Sequence, residues 1–363
     1  MTAAANQTTA YRFQKPNNNP KIPDIALILV IILPNSTPST QLMVGPTGMR
    51  TSIFIFVIFM ISAALALWAA SGEDIWHQVL MLSFAQVAIL LLLSLGNYGL
   101  RALRWHLYTH ALGAGTGLPA TFRHYFGGFA MTMTPAKIGE VVRLRWVANE
   151  TGKRLETLAP LILVDRAGDL ASTGLLLAIA LAFGATGITG GLPVALLALI
   201  GAMIATRPAL FAAFINTTYR LIGRKPRLFV RMRRAARSLQ VFSAAKILIP
   251  ALTLGLIGWF AEGFAFYLLL DWMGANVPMW TAVSIFLFSM MTGGATGAPG
   301  GIGGAEAAML ALLSIQGVPL EISIPATAII RITTLWFAIA IGLIIFPFAE
   351  GIATRNSHAL ENR

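Results

Sequence analysis

The stretch "MMTGGATGAPGGIGGAEAAMLALL", residues 290–313, places seven glycines, one proline and one glutamate inside a strongly apolar chain. The apolar residues on either side would otherwise favour an unbroken membrane helix. Proline lacks a backbone N–H, and glycine loses the most conformational freedom on ordering, so both tend to interrupt helices. The stretch therefore predicts a helix broken near its middle.

The composition indicates a protein whose main solvent is lipid. Of its 363 residues, 56% are apolar and 11% are charged, and the mean hydropathy is +0.74. A soluble domain has about 25% charged residues. Several stretches reach the roughly 20 apolar residues that a helix needs to cross a bilayer. We therefore expect an all-α, polytopic integral membrane protein. A β-barrel would instead show short alternating segments.

The net charge of +12 is concentrated rather than spread. Ten of the 26 basic residues lie in 207–246, which contains no acid, and "RKPRLFVRMRRAAR" (224–237) is the densest part. Such clusters beside apolar helices are typical of cytoplasmic loops that face anionic lipids. No base-reading module accompanies the charge, so we expect no nucleic-acid partner. The absence of cysteine excludes disulfides and thiolate chemistry.

Hydropathy and loop charge predict about six spans and two re-entrant hairpins. Basic loops mark the cytoplasmic side, which places both termini inside and makes each broken region enter and leave on one face. The two hairpins would then open to opposite faces of a bacterial inner membrane. The predicted spans are 52–70, 79–100, 158–184, 190–206, 247–270 and 325–348, and the broken regions are 119–143 and 279–316.

The segments outside the spans complete the predicted domain organisation. Residues 1–48 are polar and read as a disordered extension, as an upstream start before a working protein that begins near Met49, or as a signal-like segment around 24–34. Residues 49–350 form the membrane domain, and 351–363 form a cytoplasmic tail. Within the membrane domain, two halves (79–184 and 247–348) are joined by a span and the basic loop.

Three matches in the same order suggest that the halves are an inverted repeat. "TPAKIGE" (134–140) matches "APGGIGG" (298–304), and "LILVDRAGD" (161–169) matches "ATAIIRITT" (326–334), which aligns Arg166 with Arg331. A weaker match upstream puts Arg101 opposite Glu262. Inverted repeats are the architecture of many transporters, whose substrate site lies between broken helices near the midplane.

The two breaks are candidate head-group sites, because helix N-termini carry partial positive charge and favour phosphate. The alternative is a tight hairpin whose glycines merely permit close helix packing. Neither break contains a P-loop or a dinucleotide-binding motif. The candidate substrate residues are Pro135, Lys137, Gly139, Glu140, Arg166, Pro299, Gly300, Gly301, Gly303, Glu306 and Arg331.

Charged residues within spans are costly and should pair. Repeat symmetry predicts Glu140 with Arg166 and Glu306 with Arg331, either to bind substrate or only to lock helices; Glu306 could also stabilise its own helix start. Asp165 and Asp169 flank Arg166 as further partners. We also expect ion pairs from Glu262 and Arg101, while Arg101 and Arg104 resemble interfacial anchors. His106 and His110 lack a third ligand, so we expect no metal, cofactor or catalytic residue.

Taken together, "TPAKIGEVVRLRWVANETG", "LILVDRAGDLAS", "TGAPGGIGGAE" and "IIRITTLW" resemble the flippase-like membrane domain of lysylphosphatidylglycerol synthases over about residues 50–350. The resemblance implies a role in moving lipid between leaflets, without the soluble aminoacyl-transfer domain, since the chain ends at Arg363. One departure is Ala136, where a glycine is usual. The resemblance carries the candidate residues above onto this chain and adds Arg143.

We therefore expect a flippase-like transporter of an anionic or isoprenoid-linked lipid. Two alternatives stay open at this point. One is a membrane-embedded transferase that uses a lipid-phosphate donor. The other is a scaffold that holds a lipid-biosynthesis partner through the basic loop.

Overall fold

The computed structural model describes residues 82–132, 138–184, 191–222 and 239–361. Within these ranges every regular element is helical, and the predicted class, an all-α membrane protein, is confirmed. The predictions for residues 1–48, for the span at 52–70, for Pro135 and Lys137, and for the basic cluster 224–237 lie outside the described residues.

Twelve α-helices follow one another along the described ranges, interrupted by short 3₁₀ segments at 128–131, 239–243 and 299–301 and by a π-helical turn at 332–336. The helices are α1 Phe84–Ala111, α2 Leu118–Gly127, α3 Ile138–Thr151, α4 Leu155–Leu158, α5 Pro160–Ala182, α6 Gly191–Thr206, α7 Pro208–Ile222, α8 Ala245–Trp272, α9 Met279–Ala295, α10 Gly304–Ile315, α11 Leu320–Arg331 and α12 Phe337–Glu361.

Within the described ranges, three helical segments are long and apolar enough to cross a membrane: α1, α8 and the continuous run Leu320–Ala353. A fourth results if Gly191–Thr206 and Ala209–Thr217, which are bent by 103°, form one span. α5 is 23 residues long but carries three charged residues in its N-terminal half. The exact number of spans stays a prediction, because the first predicted span, 52–70, lies outside the described residues.

Small residues let the central helices approach closely. α8 packs against α1, α5 and α9, and α5 packs against α6. A Cβ atom on Gly258 of α8 would come within 2.6 Å of Asn97 Oδ1, and one on Gly174 of α5 would come within 2.9 Å of the Ala198 Cβ atom. Small residues at helix crossings are the usual device for membrane helix association, because they bring backbones together.

The stretch at 290–313 forms a helical hairpin. α9 is 17 residues long, about 25 Å at 1.5 Å per residue, and α10 is shorter, so neither alone spans a hydrocarbon core of about 30 Å. The connection turns through four glycines with positive φ, at 297, 300, 301 and 303, a conformation that other residues rarely adopt. The predicted helix break is therefore real, and glycine is required where the chain reverses.

In the other broken region the described residues are helical on both sides of the break. α2 continues into the 3₁₀ turn at 128–131, and α3 begins at Ile138. Gly139 lies against the Gly128 carbonyl, and Gly342 of α12 lies against the backbone of Ala130, so a side chain at either glycine would clash. Their opposite membrane orientations and the inverted repeat stay predictions.

Candidate functional site

Both hairpins line a single cavity of about 480 Å³. The first hairpin contributes residues from 128–132 and 139–143, the second contributes residues from 290–305, and helices α1, α5, α8 and the α11–α12 run complete the described wall. Its lining includes Tyr98, Arg101, Tyr125, Gly139, Glu140, Arg143, Arg166, Asp169, Trp259, Glu262, Gly300, Gly301 and Arg331. Residues more than 200 positions apart in the chain therefore meet at one site.

Most of the described substrate candidates face this cavity. Gly139, Glu140 and Arg166 lie on its first side, and Gly300, Gly301 and Arg331 lie on its second. By contrast, Pro299, Gly303 and Glu306 are not part of its wall. The roles of these residues in substrate binding stay predictions.

On the first side, Arg166 donates a hydrogen bond from Nη2 to Glu140 Oε1. Its Nη1 atom lies 3.7 Å from Asp169 Oδ2, one turn further along α5. The Arg166 side chain keeps 36% of its surface exposed, and its Nε has no hydrogen-bond partner. Arg166 is therefore the ion-paired arginine with the most surface left to meet a ligand in the cavity.

On the second side, Arg331 is held more tightly. Its Nε donates to Glu306 Oε1 at 2.6 Å, and its Nη2 donates to the Gly300 carbonyl at 2.7 Å. Glu306 Oε2 also accepts from the Gly303 N–H at 2.7 Å. Both pairs suggested by repeat symmetry are thus present. Glu306 occupies the start of α10, so this helix terminus already holds a carboxylate of its own chain.

A buried ion cluster that the sequence reading missed lies behind the cavity. Arg104 is fully buried, and its Nη2 donates to Asp165 Oδ1 at 2.8 Å and to Asp169 Oδ1 at 2.6 Å. The prediction that Arg104 is an interfacial anchor is wrong. Gly168 and Gly255 leave room for it, since a Cβ atom on either would come within 3.3 Å of its guanidinium.

The expected pairing of Asp165 with Arg166 is also wrong. Adjacent helical residues point about 100° apart and do not face each other. Asp165 instead lies beneath Arg104, with Arg143 Nη2 at 3.8 Å from its Oδ2. Asp169, three residues after Arg166, does lie near it.

Arg101 and Glu262, which the repeat alignment places at equivalent positions and which were both expected to form ion pairs, behave differently. Arg101 donates to Asp169 Oδ2 at 2.8 Å, and its guanidinium carbon lies 5.1 Å from the centre of the Trp259 ring. Glu262 has no ion pair with any lysine or arginine of the described ranges. The expectation that Glu262 is an ion-pair residue is therefore corrected: the ring and the aspartate together hold Arg101 away from it.

Arg143, like Arg104, is an arginine of this region whose position the spacing of charges in the sequence did not predict. Its guanidinium lies 4.7 Å from the Trp105 ring centre and 4.5 Å from the Tyr125 ring centre. Such stacking suits arginine, whose planar group is weakly hydrated. The available signal was the resemblance named above, which included Arg143; the aromatic partners come from α1 and α2 and could be found only in three dimensions.

Outside the spanning helices, ion pairs tie the first hairpin together and to α12. Arg145 pairs with Glu350, which also accepts from Trp146 Nε1 at 2.8 Å. Arg123 and His124 both contact Glu150 Oε1. Burial alone would raise the pKa of Glu150, but the hydrogen bond and charge of His124, together with Arg123, outweigh it, so this pKa lies below its usual value.

The lining carries an excess of positive charge. Among the described lining residues, four arginines (Arg101, Arg143, Arg166 and Arg331) face three carboxylates (Glu140, Asp169 and Glu262). Among the side chains that the structure describes, no three His, Asp or Glu groups converge in a metal-binding arrangement. The wall therefore offers guanidinium groups, aromatic rings and close backbone.

Two comparisons with known proteins bear on this site. No curated protein matches the chain. The family model described as "Lysylphosphatidylglycerol synthase TM region" matches residues 53–342, which include both hairpins and every residue named in the cavity wall. The chain therefore belongs to the family of the lysylphosphatidylglycerol synthase transmembrane region.

Proposed function

We propose that the protein moves a lipid with an anionic head group between the leaflets of a bacterial inner membrane. Family membership indicates a membrane function related to lipids. The observation that supports transport in particular is the cavity, which both broken hairpins line and which has four arginines against three carboxylates. Such a site favours a negatively charged ligand over a neutral one.

The arginines would contribute unequally to binding the head group. Arg166 and Arg143 keep guanidinium N–H groups that a phosphate can use, because the first is partly exposed and the second is held chiefly by two rings. Planar guanidinium groups bind phosphate oxygens through two parallel hydrogen bonds. Arg331 has its donors on Glu306 and the Gly300 carbonyl, so it stabilises the second hairpin and contributes field rather than direct contact.

The glycine-rich turn would let the head group come close to the backbone. Gly300 and Gly301 line the cavity, and both have positive φ. A residue with a side chain would be strained at either position. The acyl chains would remain in lipid while the head group crosses through the cavity, and the two hairpins would move relative to each other to open it to either side.

The test is lipid translocation in proteoliposomes. A fluorescent anionic lipid is placed in both leaflets, and dithionite added outside quenches only the outer pool. Losing a charged hydrogen bond costs about 1.5–3 kcal/mol, so we expect Arg143→Gln and Arg166→Gln each to slow translocation about ten- to hundredfold. The matched control is Arg145→Gln, two residues from Arg143 on α3 but paired with Glu350 away from the cavity. It should stay within about twofold.

Other outcomes would favour the alternatives. A lipid product formed in detergent, where no leaflets exist, would indicate a transferase. Silent cavity variants combined with loss of function after neutralising Arg231, Arg233, Arg234 and Arg237 would indicate a scaffold. Translocation unchanged in both cavity variants would refute the role assigned to these arginines.

A further inference from the structure

Glu262 is a buried carboxyl group that takes no part in the ion pairs of the described residues. It lies in α8, is 5% exposed and lines the cavity. Glu140, Asp165, Asp169 and Glu306 each pair with an arginine. Glu262 pairs with no lysine or arginine in residues 82–132, 138–184, 191–222 or 239–361. A buried carboxylate without a cation is costly, and uptake of a proton removes that cost.

The two arginines whose charge reaches Glu262 are committed elsewhere. Arg101 binds Asp169 at 2.8 Å and stacks over Trp259. Arg331 binds Glu306 at 2.6 Å and the Gly300 carbonyl at 2.7 Å. Turning Arg101 toward Glu262 would break its bond to Asp169 and its contact with Trp259, and turning Arg331 would leave Glu306 without its arginine.

The polar neighbour of Glu262 on α1 is neutral. Asn97 is fully buried and lies close enough for its side-chain amide to hydrogen-bond Glu262. The described residues give that amide no other hydrogen-bond partner. Gly258, one turn before Glu262 on α8, makes the space that Asn97 occupies. An amide can accept from a neutral acid or donate to a carboxylate, so Asn97 suits both states of Glu262.

The groups that face Glu262 from the packed helices set its field. They are Tyr98 and Arg101 on α1, Asp169 on α5 and Arg331 on α11. α9 carries no titratable residue. The Tyr98 hydroxyl donates to the Thr334 carbonyl, so it is engaged with backbone and does not complete the site.

We propose that Glu262 is a proton-binding site coupled to lipid movement through the cavity. The inference rests on the proposed function and adds its energy source and regulation. In the binding step one Glu262 oxygen takes the proton of a hydronium ion that reaches it through the cavity, which leaves neutral water. The carboxylate becomes a neutral acid, and its O–H donates to the Asn97 amide oxygen. The lining thereby loses one negative charge, so its net charge becomes one unit more positive. The protonated cavity holds an anionic head group more strongly, and proton release weakens that hold.

The first experiment measures translocation of the fluorescent anionic lipid against pH and against an imposed pH gradient. We expect the wild-type rate to change by up to about tenfold per pH unit where Glu262 titrates, and Glu262→Gln to flatten this profile because glutamine has the shape of the neutral acid. Glu262→Asp should restore a profile with a shifted midpoint. The control is Glu321→Gln, an exposed acid of α11 away from the cavity, which should keep the wild-type profile.

The second experiment detects the proton directly, so that failure of this inference and failure of the transport proposal are distinguishable. Infrared difference spectra of the purified protein between acid and alkaline pH should show the carbonyl band of a protonated carboxyl group. Glu262→Gln should remove that band, and Glu321→Gln should keep it. This result stands even if no lipid moves in the first experiment. The proposal would be overturned by a carbonyl band that survives Glu262→Gln or by a translocation pH profile that this substitution leaves unchanged. It would also be overturned if translocation depended on Na⁺ instead of pH, or if Glu262→Gln slowed translocation only of lipids with an ammonium group.

Discussion

Replacing Gly293 with alanine tests whether the second hairpin depends on close contact between its arms. Gly293 lies near the end of α9, and a Cβ atom there would lie 2.7 Å from the Ala305 Cβ atom, 2.9 Å from the Ala305 nitrogen and 2.9 Å from the Gly301 carbonyl oxygen. Two of these atoms belong to the backbone, so they cannot rotate away. The neighbouring Gly294 has nothing within 4 Å of the same position. The two glycines are therefore a matched pair on one helix turn.

The magnitude follows from the difference between the two sites. Both substitutions gain similar helix propensity, at most about 1 kcal/mol, and this gain cancels in the comparison. Only Gly293→Ala forces extra atoms into a packed contact, which costs about 1–3 kcal/mol. We therefore expect Gly293→Ala to be less stable than Gly294→Ala by this amount. With an entropy of unfolding of about 2.1 cal/mol/K per residue, a chain of 363 residues shifts by about 1–2 °C per kcal/mol, so the apparent Tm should differ by about 1–6 °C.

The assay is thermal unfolding of both variants in the same mild detergent, followed by size-exclusion chromatography with fluorescence detection. The wild-type protein provides the reference, and a constant detergent-to-protein ratio keeps the two curves comparable. If Gly293→Ala melts with or above Gly294→Ala, the arms of the hairpin are not in the contact described, and the reasoning is refuted.

Three further substitutions test the ion pairs. Arg104→Ala leaves two buried aspartates short of a cation and should lower the free energy of unfolding by about 3–5 kcal/mol, whereas Arg145→Ala, which removes a partly exposed pair, should cost no more than about 1 kcal/mol; equal losses in a denaturant titration would contradict this. The Glu150 pKa is lowered from its usual 4.5, so its stabilising contribution is present above that pH and lost as the pH falls through the lowered value. Glu150→Gln should reduce the acid-side loss of stability in melts from pH 7 to pH 3, and an unaltered acid limb would argue against the described pair. Glu306→Gln weakens the bond to the hairpin arginine and should lower stability by about 1.5–3 kcal/mol, against about 0.5 kcal/mol for the surface control Glu321→Gln; similar melting of the two would show that the hairpin does not rely on this bond.

Elements whose signal is local could be predicted from the sequence. Membrane helices are specified by continuous apolar length, so the helix at 245–272 coincides with the predicted span 247–270 to within two residues at each end. The helix at 84–111 overlaps the predicted span 79–100 but starts five residues later and ends eleven residues later. The break at 299–303 was visible because a turn with positive φ needs glycine, and the chain supplies it at each such position. The ion pairs that Arg166 and Arg331 form with their glutamates could also be predicted, since they follow from aligning two similar motifs.

Ion-pair partners that come from different helices could not be predicted from local sequence signals. Arg104 is followed by Trp105, and an arginine beside a tryptophan is also the pattern of an interfacial anchor. Nothing in the local sequence distinguishes a buried Arg104 from such an anchor. Its burial depends on Gly168 and Gly255, which belong to two other helices. In the same way, Arg101 binds Asp169 rather than Glu262, because the position of Trp259 decides between two carboxylates of equal charge.

Local stretches of the sequence are enough to identify a helical membrane protein with two glycine-broken regions, because transfer into lipid and backbone conformation are properties of short stretches. Three-dimensional packing is needed to learn which charges neutralise one another and that both broken regions line one cavity. It is also needed to learn that Glu262 has no lysine or arginine partner among the described residues. The physical reason is that electrostatic pairing depends on distance in space, and the helix packing that sets those distances is a property of the whole chain.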